Sequence, residues 1–90
     1  MLVNLPVSII KQGKKYVAYT PALDLSTSGN SEKQVIKRFG EIVELFLEEI
    51  MEAGTTDVVL KELGWHKVKK EWAPPQVVRQ ENFRMAVPAF

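Results

Sequence analysis

The side chains whose type and spacing could do chemistry are carboxylates. Glu41, Glu44, Glu48 and Glu52 recur at intervals of three and four, so on a helix they share one face. With Glu49 and Asp57 they make the stretch from 41 to 57 acidic throughout, with no Lys or Arg in it. Such a row is either a plain solvated face or a strip of negative potential that steers and holds a basic partner. On the second reading these four glutamates are the candidate partner-binding residues, and reversing the charge of Glu44 and Glu48 removes binding while the fold survives.

Other chemistry finds little material. His66 is the only histidine and there is no cysteine, so neither a His- or thiolate-based metal site nor a catalytic triad can be assembled. No metal, cofactor or catalytic residue is assigned, and the chain is not read as an enzyme. Asp24 reads as a turn residue. Gly13 and Gly29 are isolated, which leaves a phosphate-cradling loop without support. The run His66-Lys67-Val68-Lys69-Lys70 lies between Trp65 and Trp72, a basic and aromatic composition found at nucleic-acid contacts. One short run beside a near-neutral domain predicts weak or absent nucleic-acid binding.

These side chains must be carried by a single small domain. The chain has 90 residues, 46% of them hydrophobic and 26% charged, with a formal net charge of +1. A chain of this length buries only about 60% of its unfolded surface, and no disulfide is available to help, so self-association is expected. Charge is unevenly spread: residues 1–60 hold six Lys/Arg against eight Asp/Glu, and residues 61–90 hold six against three. The beginning of the sequence lacks a basic stretch followed by an apolar block, so it does not read as a secretory signal, and the apolar stretch from Ile42 to Met51 is broken by Glu44, Glu48 and Glu49. A soluble, cytoplasmic protein without membrane spans is the expectation.

Period-two alternation of Val3, Leu5, Val7 and Ile9 predicts a first strand, with Pro6 marking a sheet edge. Residues 11–15 supply a turn, Tyr16 to Thr20 a second strand, and Leu23 to Ser28 a shorter third. Tyr16 and Tyr19 fall on opposite faces of their strand, so at most one joins the core. Ser31 with Gln34 has the spacing of a capping box, and Val35, Ile36, Phe39, Ile42, Val43, Phe46, Leu47, Ile50 and Met51 then follow helical periodicity as far as Gly54. A short second helix, capped by Thr55 or Thr56, ends at Gly64. Residues 65–75 read as a basic connector ending in Pro74-Pro75, its tryptophans docked on the domain. Phe83, Met85 and Val87 alternate with polar or small neighbours, which predicts a last strand in segment 76–90 that rejoins the sheet or is exchanged with another chain. Those three residues are the candidate oligomer interface, with a homodimer as the minimal assembly. The economical architecture is an α+β two-layer sandwich. In it an antiparallel sheet of three or four strands is packed by one long helix, in the order β-β-β-α-(short α)-β, with residues 1–64 as its body.

The run from Tyr16 to Ser31, with its Pro21-Ala22-Leu23 segment and Gly29-Asn30-Ser31 helix start, followed by the long acidic helix, resembles the HicB-like antitoxin family over residues 5 to 64. The resemblance implies a truncated ribonuclease-H-like fold without its active site. It also implies a function, neutralising a small basic HicA-type toxin that cleaves messenger RNA, by covering its active surface. Lys33-Gln34-Val35 stands where the family usually has an acidic pair and Ala, and residues 65–90 lack the DNA-binding extension many members carry. The acidic helix face and the edge of the last strand are then the expected contacts. The alternative is a stand-alone oligomeric scaffold without a toxin. A residual nuclease, with Asp24 as a remnant carboxylate, lacks the converging carboxylates that two-metal catalysis needs.

Overall fold

The computed structural model describes residues 2–89; Met1 and Phe90, the outermost residues of the two terminal segments, lie outside the described residues. Strands β1 (Ser8–Gln12), β2 (Lys15–Thr20) and β3 (Leu25–Gly29) form an antiparallel sheet in the order β1-β2-β3. Helix α1 (Glu32–Glu52) lies on one face of it, followed by α2 (Thr56–Glu62) and by a second, two-stranded sheet of β4 (His66–Val68) and β5 (Glu71–Ala73). The chain is thus an α+β fold with a three-stranded antiparallel sheet and one long helix.

The turn fixes the first hairpin. Gly13 takes φ +61°, a conformation that is least costly without a Cβ, and the two-residue loop Gly13-Lys14 sets the pairing from Gln12↔Lys15 back to Ser8↔Tyr19. The strand therefore begins five residues later than the alternation from Val3 implies. Pro6, which has no N–H for a ladder, stays outside it, and Pro21 closes β2 at the same level. Val3 and Leu5 instead pack against the core around Ala22 and Leu23.

Register sorts the side chains. Tyr16 and Ala18 face α1 and pack with Val35 and Phe39, whereas Ile10, Val17 and Ser28 lie side by side on the opposite face. Tyr19 is on that second face and its hydroxyl donates to Asp24 Oδ1 at 3.2 Å. Desolvation first, then this hydrogen bond and the charge of Asp24, hold the Tyr19 pKa above its ordinary value. Asp24 is a turn residue, with φ +50°.

Ser31 caps α1, its Oγ accepting from the Gln34 N–H at 3.1 Å, and Gln34 Oε1 accepts from the Asn30 N–H at 2.7 Å, one residue ahead of the usual reciprocal bond. Gly29 lets the sheet approach this first turn. A Cβ placed there would sit 3.0 Å from the Val35 nitrogen and 3.2 Å from its Cα, both backbone atoms that cannot step aside. Gly29→Ala is accordingly expected to destabilise the fold by about 1–3 kcal/mol, as overpacking does, in a urea unfolding titration.

Both helices end in the same way. Gly54 N–H donates to Met51 O and Thr55 N–H to Ile50 O, then Gly64 N–H to Lys61 O and Trp65 N–H to Leu60 O, at 2.9–3.1 Å. The second of these Schellman motifs sets Trp65 against Leu60, the hydrophobic contact that accompanies the motif. Trp65 is 5% exposed, and its indole Nε1 donates to Ala22 O at 2.7 Å, stitching the region after α2 to the loop between β2 and β3.

Two parts of the sequence reading are corrected. Residues 66–73, expected as connector, form the β4–β5 hairpin, turning at Lys69 with φ +61° and with Trp72 half-buried. The expected strand across Phe83, Met85 and Val87 is not formed: residues 74–89 hold no helix or strand and those three side chains are exposed. Alternation decides which side chains share a face, but a strand also needs a neighbour for its backbone groups, and neither sheet has a partner strand from residues 74–89.

Candidate functional site

Helix α1 is polarised in charge along its roughly 32 Å length. All six Lys/Arg of the first sixty residues are Lys11, Lys14 and Lys15 around the β1–β2 turn and Lys33, Lys37 and Arg38 in the first half of α1. Since Tyr16 pairs with Gly29, this turn and the start of α1 lie at the same end of the domain. From Glu41 on the helix carries only acidic charge, and its last turn has no basic residue.

This order opposes the helix's own electrostatics. The backbone dipole favours acidic groups at the N-terminus and basic groups at the C-terminus, each by about 0.3–1 kcal/mol. Glu44–Glu48 and Glu48–Glu52 are like-charge pairs four apart, each unfavourable by about 0.2–0.5 kcal/mol. A face selected only for solvation would intersperse lysines. Glu52→Lys is therefore expected to stabilise the isolated protein by about 1 kcal/mol, raising Tm by about 4–8 °C in a thermal melt.

All four predicted glutamates are exposed on one side of α1, and the structure groups three of them. Glu41, Glu44 and Glu48 surround Leu45, which is 57% exposed at the floor of a shallow depression. Glu44 and Glu48 also line an apolar groove of about 280 Å³. Its walls are Val3, Leu47, Ile50, Met51, Leu60, Trp65 and Trp72. These two glutamates thus make a ridge between two hollows, with Glu52 further along the helix and outside both linings.

The groove and Leu45 were missed by sequence reasoning. The signal for Leu45 was its position off the apolar stripe, among the acids. Met51 and Ile36 were assigned to the core by periodicity, but both lie exposed at margins of the stripe where the sheet does not reach. The groove left no local signature, because its walls come from the N-terminal segment, both helices and the β4–β5 region.

The remaining candidates are dispersed. His66 is exposed at the start of β4. Lys67 Nζ stands 5.2 Å above the Trp72 ring and 3.9 Å from Asp57 Oδ2, so part of the basic run is engaged within the domain. Among the described residues, no three of the His, Asp and Glu side chains come together as a metal-holding group, and no helix is long and apolar enough to cross a membrane. Every buried side-chain polar atom among them has a hydrogen-bond partner. The arrangement offers a dense negative strip with an apolar centre and a neighbouring groove. Comparison with protein-family models, curated proteins and solved structures finds no match to this chain.

Proposed function

We propose that this chain is a HicB-like antitoxin that binds a small basic, mRNA-cleaving HicA-type toxin in the cytoplasm and neutralises it by covering its active surface. The observation that carries the reading is the acidic strip of α1, maintained against the helix dipole and against its own like-charge pairs, with exposed Leu45 at its centre. Stability does not account for that arrangement; a basic partner does, since complementary potential speeds encounter and a central apolar contact slows release. Glu41, Glu44, Glu48 and Glu52 are the binding residues, and no step of catalysis is assigned to the chain. The unit is a homodimer held through Phe83, Met85 and Val87.

These exposed tail residues also favour a second reading, a stand-alone oligomeric scaffold. One experiment separates the two. The tagged protein is purified from its own cells, and any small basic protein retained in stoichiometric amount is tested for RNA cleavage with and without the chain. Cleavage that one equivalent suppresses supports the antitoxin; retention of the chain alone supports the scaffold.

A further inference from the structure

Resting on the dimer reading above, we propose that the apolar groove between α1, α2 and the β4–β5 hairpin is the receptor for segment 82–87 of a second copy of this chain. Phe83 and Met85 fill the groove, and Arg84 meets the Glu44–Glu48 rim.

The tail cannot be accounted for by its own domain. Phe83, Met85 and Val87 are 82%, 77% and 83% exposed, a cost that burial in a partner relieves. The radius of gyration is 15.8 Å, against about 12 Å expected for a compact chain of this length. Pro74 and Pro75 are half-buried, with Pro75 beside Gly64, so the tail starts from a pinned, stiff segment, and its own Phe83 and Met85 are not among the residues that line the groove.

The groove is the complementary surface. At about 280 Å³ it falls just below the range for small-molecule sites, about 300–1,000 Å³, and its lining is almost wholly apolar, a fit for one or two large side chains. Its only charges are the carboxylates of Glu44 and Glu48. In the tail Arg79 is paired with Glu81 at 2.9 Å, whereas Arg84 has no ion-pair partner among the described residues and stands between the two anchor side chains. Reciprocal exchange of two such tails closes a symmetric dimer, in which each groove is filled by the other chain.

The same two glutamates face the toxin strip, so groove occupancy and toxin binding share a ridge. Light scattering across a concentration series of the full chain, without any toxin, tests the groove by itself. The wild type is expected to be a dimer. Phe83→Asp and Glu48→Lys are each expected to raise the dimer dissociation constant roughly tenfold or more. Adding Arg84→Glu to Glu48→Lys restores most of the loss, and Lys14→Glu in the β1–β2 turn, outside the groove, leaves association unchanged. Circular dichroism of each variant confirms that the domain is folded. A wild type that is monomeric throughout overturns the dimer reading and this inference with it. A dimer that withstands Phe83→Asp, or a charge swap that restores nothing, overturns the groove as receptor while leaving the dimer and the antitoxin reading standing.

Discussion

Trp65→Ala is expected to remove about 4–8 kcal/mol, half or more of the stability of the fold. Truncating a buried Trp costs about 3–5 kcal/mol through lost transfer energy and the cavity left behind. Here it also removes the indole donor that reaches Ala22 O in the buried loop after β2, for a further cost of about 1–3 kcal/mol. A domain of this size is stable by only about 5–13 kcal/mol in total. The loss falls on the cluster that joins Ala22 and Leu23 to Ile50 and Leu60, so the sheet, both helices and the end of α2 are all loosened together. Trp65→Phe retains the ring volume in large part and loses the donor, and is expected to remain folded with a loss of about 1–3 kcal/mol. Thermal and urea unfolding followed by circular dichroism distinguish the two. A Trp65→Ala protein within 1 kcal/mol of the wild type, about the cost of an ordinary substitution, would contradict the role given to this residue.

The second large effect joins stability to binding with opposite signs. Glu44→Lys combined with Glu52→Lys leaves Glu41 ahead of the first new cation and Glu48 between the two, so that neighbours three and four apart in the row carry opposite charges. Both like-charge pairs disappear, and the last turn gains a cation that the dipole favours. The isolated variant is expected to be more stable than the wild type by about 1–2 kcal/mol. The same change takes the four-residue strip from fully acidic to neutral, and affinity for the basic partner is expected to fall by about 100-fold or more, with a weaker dependence on salt. A face that serves only solvation would show the first effect without the second. Higher stability with lost binding is the signature of a surface kept for a partner at the expense of its own helix.

Much of this architecture was legible in the residues. Helix α1 was readable because its signals agree: Ser31 and Gln34 at the start, an apolar stripe along its length, and Gly54 beyond its end. The four glutamates were readable for the same reason, since helical spacing alone puts them on one face. Strand limits were less so. Alternation from Val3 to Ile9 looked like one strand, but the Gly13-Lys14 turn sets where pairing starts, and that depends on what lies across the hairpin. The β4–β5 hairpin was hidden inside a basic run whose turn, at Lys69, lacks the usual Gly or Asn. The tail showed the converse, a strand pattern without a neighbouring edge. The groove was beyond any local reading, because residues as distant as Val3, Met51 and Trp72 line it together.

The most direct test of the acidic strip is a paired capture. Tagged wild type and the Glu44→Lys/Glu52→Lys variant are purified side by side from the protein's own cells at low and moderate salt, and the retained proteins are identified and quantified by mass spectrometry. The strip predicts a small basic protein held in stoichiometric amount by the wild type and lost from the variant, although the variant melts at a higher temperature. Equal retention by both proteins, or a wild type that retains only itself, would contradict it.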